Sequence, residues 1–356
     1  MNAPALDRAD LRARVEKSLG AFLSRQRERL AAIDDALVPI AQLVEAFVLR
    51  GGKRLRPAFA YWGYRAAGGI DADAVVASLA ALELVQASAL IHDDVMDGSG
   101  TRRGRPSVHA SFAELHARGG FTGDQRVFGT AAAIVVGDLL LSWADAMFAG
   151  AGFDDAAGRR ARAVYDDMRQ QVMAGQYLDV LVQARGDFSA DDALRVAKYK
   201  TSKYTVEGPL QFGAAAAGAS PDLVDAIAAY GMPLGEAFQL RDDVLGIFGD
   251  PGRTGKPSGD DLREGKRTML VALAMDAADD AQAAVLRHGL GDRSLDDDGV
   301  AAICDVLVAT GALDQVEVRI TERTAEARAA LDTSAINPDA REVLERLAIA
   351  ATERHT

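Results

Sequence analysis

The stretch "DADAVVASLAALELVQASALIHDDVMDGSGTRRGRP", residues 71–106, decides the fold. As far as Leu90 it is apolar on nearly every side, the pattern of a helix buried in a core rather than laid on a surface. It then ends in Asp93, Asp94 and Asp97, with Arg102, Arg103 and Arg105 close behind. Asp93 and Asp97 stand four residues apart and share a helix face, while Asp94 is turned about 100° away. Like charges at that spacing repel by a few tenths of a kcal/mol per pair. A solvated helix end often carries such acids to no purpose, but a helix this apolar is a poor candidate for one. A bound cation is the better account, because Mg²⁺ takes one or two carboxylates together with substrate phosphates. Arginine donates to phosphate in planar, bidentate fashion, and Gly98, Gly100 and Gly104 let the loop come close to a ligand.

The chain around this stretch has 356 residues, 49% hydrophobic and 26% charged, the balance of a globular protein with a sizeable core. A net charge of −12 argues against a general nucleic-acid binder, so any anionic ligand must be held by local cations. The single Cys304 allows no internal disulfide and fits a reducing, cytoplasmic setting. The N-terminal "MNAPALDRADLRARVEKSLGAFL" is charged and lacks the core of a signal peptide. The longest apolar run, 129–152, is broken by Asp138 and Asp145, so a buried core helix is expected there and no membrane span.

Helical periodicity recurs over 11–33, 71–94, 158–184, 189–218, 222–249 and 314–332, and alternating β-branched runs are nearly absent. Gly and Pro clusters mark the breaks, and none is long enough for a domain linker. The expectation is one all-α domain over 1–356, with an amphipathic helix in 1–30 packed on or near it. A second acidic stretch, "FQLRDDVLGIFGD", echoes the first: Asp242 and Asp243 repeat the pair, Gln239 lies one turn earlier, and Gly246 stands where Asp97 would correspond. Cations gather in three further places. "LRGGKRLRPAFAYW" (49–62) puts Lys53, Arg54 and Arg56 at a helix start, a ready anion site. "KYKTSKY" supplies Lys200, and "GKPSGDDLREGKRT" supplies Lys256, Lys266 and Arg267. Two acidic helix ends, several basic clusters and an apolar helical interior together point to metal-assisted chemistry on diphosphates with a greasy body.

With "GGKRLRP", "DDVMD…TRRG", "GQYLD", "KT", "FQLRDD" and "GKP…EGKRT" all in order, the sequence resembles the trans-isoprenyl diphosphate synthases. The resemblance runs from about Arg50 through Thr268. It implies an all-α isoprenoid synthase-type bundle around a central apolar cavity, usually a homodimer. It further implies that Asp93 and Asp97 bind two Mg²⁺ ions on an allylic diphosphate, with Asp242 holding a third and Asp243 behind it. Arg102, Lys200, Thr201, Gln239, Lys256 and Lys266 would surround the allylic diphosphate. Lys53, Arg56, Gln86 and Arg103 would hold isopentenyl diphosphate; position 86 is His in many relatives.

Product length is expected to depend on the face below Asp93. Ser88 and Ala89 lie about one turn down, at ~1.5 Å per residue. Relatives that stop early tend to carry a bulky residue there or a two-residue insertion in the aspartate motif; here both are small and nothing is inserted, so the resemblance implies a tube open past the first turn and the C20 product, geranylgeranyl diphosphate. Its floor would lie deeper, at Val85 or Leu82, or on a facing helix near Leu140 and Trp143. Farnesyl or longer-chain synthases, a class I terpene cyclase and a non-catalytic modulating subunit are the alternatives. A cyclase would not need "GGKRLRP", and a non-catalytic subunit would not need the intact acids.

Overall fold

The structure is a computed structural model that describes residues 9–150, 153, 155–249 and 259–352. It is all-α: the only strands among the described residues are Thr101–Arg102 and Arg105–Pro106, which pair antiparallel beneath the turn carrying Arg103 and Gly104. The chain divides into two compact units, one of residues 1–162 with 212–219, the other of residues 163–211 with 220–356.

The first unit holds α1 (Leu11–Ala31), α2 (Val38–Leu49), α3 (Leu55–Ala66), α4 (Asp73–Met96), α5 (Val108–Arg118) and α6 (Gln125–Ala149). It also takes the first turns of α7 (Asp155–Arg185) and the later part of α9 (Gly208–Ala217). The apolar body of α4 forms its centre: Val76, Leu79, Leu82, Leu84 and Ile91 are fully buried. Helix α6 packs along α4, and α1 covers another side of α4. Phe22 of α1 meets Trp143 of α6 edge-on, ring centroids 6.5 Å apart. Two glycines permit close approach. A Cβ on Gly137 of α6 would lie 2.0 Å from the His92 ring, whose Nε2 is 3.2 Å from the Ile134 carbonyl oxygen. A Cβ on Gly213 would lie 1.7 Å from the Ala60 carbonyl oxygen of α3. The first of these fixes the rotation of α4 one residue before Asp93.

Residues 129–152 were expected to form a buried core helix; α6 is buried on one side only. Val127, Ala131, Ile134 and Val135, spaced as one helical stripe, are exposed. By length and composition α4 and α6 are both apolar enough to cross a membrane, yet 72% of the α4 window is buried inside the protein against 39% for α6.

The second unit contains the rest of α7, α8 (Ala190–Val196), a π-helix (Ala197–Glu207), the start of α9 and α10 (Pro221–Phe248). It continues with α11 (Asp260–Glu264), α12 (Met269–Ala277), α13 (Asp280–Gly289), α14 (Asp297–Ala309), α15 (Ala312–Ala330) and α16 (Pro338–Thr352). Ser220 starts α10 by accepting from the Leu223 amide at 3.3 Å, with Pro221 in the first turn, where its missing N–H costs nothing. Leu240, Val244 and Ile247 of α10 pack with Leu270, Leu286, Ile303 and Ile320 in one buried cluster. Helix α16 is tied down by backbone carbonyls: Tyr230 Oη donates to Leu344 at 2.7 Å, and Arg241 Nε to Thr352 at 3.0 Å.

The periodicity over 189–218 reads as one helix; the structure divides it into α8, the π-helix and α9. The wider i→i+5 winding is compatible with the neighbours because they lack side chains at the contacts. A Cβ on Gly175 of α7 would lie 2.3 Å from the Lys200 amide nitrogen. One on Gly235 of α10 would lie 2.6 Å from Ser202 Cα, and one on Gly231 2.8 Å from Glu207 Cα. Such π segments are rare and concentrate at functional sites.

Candidate functional site

The first unit brings the acidic end of α4 together with the following hairpin. Arg102 Nε donates to Asp94 Oδ1 at 2.8 Å, Nη2 donates to the same oxygen, and Nη2 lies 3.3 Å from Asp93 Oδ2. Asp94, the acid turned away from the shared face, is fully buried, and Asp97 is 8% exposed. Asp94 therefore anchors the arginine, which also reaches Asp93 on the face that Asp93 shares with Asp97. The sequence assigned Asp94 no role; its 100° offset was the available signal.

A second cationic group lies on the loop before α3. Gly51 and Gly52 have φ of 84° and 97°, and Arg54 and Arg103 hold left-handed backbones at φ 54° and 55°. Each such non-glycine residue costs about 1–2 kcal/mol, and strain of this kind clusters at functional sites. Arg103 Nη1 donates to the Arg50 carbonyl at 3.2 Å and lies where a Cβ on Gly51 would touch it at 3.8 Å. Burial, with Arg54, Arg102 and Arg56 as like charges nearby, pulls its guanidinium below the usual range, while Glu83 acts the other way. Such a crowd of guanidinium groups suits an anion. Lys53 is exposed, and Arg56 and Gln86 are half-buried. On α4, Ala89 is half-buried like Asp93 one turn above it, whereas Ser88 and Val85 are closed off at 1% and 2% exposure.

In the second unit the π-helix presents Lys200 and Thr201, both half-buried; Lys200 Nζ donates to Asp179 Oδ2 at 2.6 Å. On α10, Gln239 Nε2 donates to Asp243 Oδ1 at 2.5 Å, and Asp242 is half-buried beside it. Gly246 has a steric explanation. A Cβ there would fall 1.9 Å from Asp261 Oδ2, so the carboxylate of Asp261 fills the space where a third acid of α10 would stand. Lys266 Nζ donates to Asp261 Oδ1 at 2.8 Å and pairs with Glu264 at 3.0 Å. Lys256 lies outside the described residues.

Both acidic groups fit a divalent cation by the chemistry of their donors. Desolvation first, then the charges of Asp261 and Asp242, push the Asp243 carboxyl up to about 8 against an ordinary 3.8. Burial is the larger cause, and the neighbouring carboxylates add to it. Among the described residues no three acidic, His or Cys side chains are gathered closely enough to hold an ion by themselves. Any ion would then share its coordination with ligand oxygens, as Mg²⁺ ordinarily does.

The Polyprenyl synthetase family profile matches residues 38–307, and the chain belongs to that family. It is 35% identical over 309 residues to a geranylfarnesyl diphosphate synthase of Aeropyrum pernix, covering 85% of this chain and 91% of that protein. It is 31% identical to the octaprenyl diphosphate synthase of Escherichia coli over 88% of this chain and 90% of that one. A geranylgeranyl pyrophosphate synthase from Corynebacterium glutamicum, solved with isoprenyl diphosphate and magnesium, superimposes with a TM-score of 0.92 at 42% identity. That superposition covers 96% of this chain and 98% of that one, so the all-α fold is that of the isoprenyl diphosphate synthases.

The raised Asp243 gives a test of the cation fit that needs no turnover. A carboxyl higher in the folded than in the unfolded state lends stability below about pH 4 and loses it as pH climbs through about 8. The melting temperature of the metal-free protein should therefore fall more steeply between pH 5 and pH 9 than that of Asp243→Asn. Adding Mg²⁺ should flatten the difference. Equal slopes for the two proteins, with and without the ion, would contradict the assignment.

Proposed function

We propose that this protein is a chain-elongating trans-prenyltransferase that condenses isopentenyl diphosphate with an allylic diphosphate and releases diphosphate, its main product being geranylgeranyl diphosphate. The observation that carries the reading is the pairing, within the first unit, of an acidic helix end with a separate guanidinium group around Gly51, Gly52 and Arg103. A cyclase, which handles one diphosphate, has no use for the second group. Asp93 and Asp97 would hold Mg²⁺ against the allylic diphosphate, and Asp242 a further ion, three per site as the resemblance implies.

When bound, Mg²⁺ neutralises charge on the departing diphosphate. The side chains do the rest. Arg102 orients the allylic diphosphate as its C–O bond breaks and stabilises the charge that develops; Lys200, Thr201, Gln239 and Lys266 would serve an allylic diphosphate as the resemblance implies. Arg103, Lys53, Arg56 and Gln86 hold isopentenyl diphosphate so that its double bond attacks the allylic carbon. Proton loss from the adduct then restores a double bond, with the departing diphosphate as the acceptor. The apolar wall of α4 excludes water that would quench the carbocation. The whole chain, 1–356, would act as one catalytic domain in the cytoplasm.

The relatives make products from farnesyl to octaprenyl diphosphate at similar identities, so overall likeness does not set product length. The α4 face does so in this reading. Ala89 sits half-buried one turn below Asp93, followed by closed packing at Val85 and Leu82. Ala89→Phe should shift the dephosphorylated product from C20 toward C15 or C10, read by chromatography. A wild type that already stops at C15, or a variant with unchanged product, would refute the assignment.

The exposed stripe of α6 is proposed to be covered by a second copy of the chain, making a homodimer. Val135→Arg should convert a dimer to a monomer in light scattering after size exclusion. A wild type that is monomeric, or that pellets with lipid vesicles through this stripe, would contradict the proposal.

A further inference from the structure

We propose that the buried Arg54–Glu83 ion pair is a positioning device that shapes the isopentenyl diphosphate subsite without touching its ligand. The inference rests on the functional reading above. Arg54 Nη1 donates to Glu83 Oε2 at 2.6 Å, with side-chain exposures of 4% and 8%. Nη2 donates to the carbonyl oxygens of Val48 at 2.9 Å and Leu49 at 3.3 Å, in the last turn of α2. Nε lies 3.8 Å from Glu16 of α1. One guanidinium thus ties together α1, the end of α2, α4 and the loop that enters α3, and its donors are turned inward.

The loop it secures is the strained one. Gly51, Gly52 and Arg54 follow one another at positive φ with only Lys53 between, and Arg103 opposite is also left-handed. Backbones of this kind persist only where their surroundings over-determine them, and Arg54 supplies the restraint. A Cβ on Gly52 would touch Arg54 Nη1 at 3.4 Å and Arg103 Nη2 at 3.7 Å, so both guanidinium groups border the same glycine. Glu83 also offsets the like charges that act on Arg103. Stability alone does not explain the pair, because well-packed apolar residues often replace buried ion pairs with no loss. Placement of Arg103 and Lys53 does explain it.

The test replaces both partners at once, Arg54→Met with Glu83→Leu, so that no buried charge is stranded. The full chain is titrated calorimetrically with isopentenyl diphosphate, and KM is measured for each substrate. The expected result is a melting temperature within a few degrees of wild type and isopentenyl diphosphate affinity at least tenfold weaker. KM for isopentenyl diphosphate should rise to match, with the allylic KM within about twofold. Should the double variant not fold, Arg54→Lys decides: it keeps the charge opposite Glu83 but loses the fork to the two carbonyls, and should weaken isopentenyl diphosphate alone by threefold or more. Unchanged affinity, or an equal rise for both substrates, overturns the inference, as does a wild type that does not bind isopentenyl diphosphate. A wild type that binds it without elongating any allylic primer refutes the functional reading and leaves the positioning role standing.

Discussion

Negative charge at the end of an apolar helix is the constraint on which the first unit depends. Asp93, Asp94 and Asp97 are gathered where α4 emerges from its packing, and desolvation there makes uncompensated carboxylates expensive. Arg102 compensates Asp94 and reaches Asp93, on the helix face that Asp93 shares with Asp97. The hairpin of residues 101–106 exists to deliver that arginine, and its turn delivers Arg103 to the loop before α3.

The second unit meets a different constraint. Lys200 and Thr201 ride on a π-helix whose backbone comes into contact with α7 and α10, and both contacts are possible only at glycine. Replacing hydrogen at Gly175 or Gly235 by a methyl would force backbone apart, the kind of overpacking that costs typically 1–3 kcal/mol. The acids of α10 and α11 interlock in the same spirit: Asp261 can approach only because residue 246 has no side chain. Buried cores do not yield to such intrusions continuously, so these glycines fix where Lys200, Thr201 and Asp261 stand.

Much of this was legible in the sequence. The apolar run of α4, its acidic end and the arginines after it announce themselves through helical period and charge, and so do the glycines and cations of residues 51–56. The unread parts depend on partners distant along the chain. Nothing local distinguishes the π-helix from the α-helices beside it; the signals were the glycines of "AGQY" and "YGMPLG" on other helices. The Arg54–Glu83 pair spans 29 positions, and Asp261 occupies the place of a residue 15 positions earlier. The one-sided burial of α6 was missed because composition reports that a helix is apolar and not what covers it.

The central claim is that two diphosphates are handled together, one ionised and one extended by it. Its most direct measurement is the release of inorganic diphosphate from farnesyl diphosphate with Mg²⁺, as isopentenyl diphosphate is added. The account predicts release that depends on isopentenyl diphosphate and equals, one for one, the isopentenyl units incorporated into product. Release at full rate without isopentenyl diphosphate, with a hydrocarbon or alcohol as the product, would contradict it.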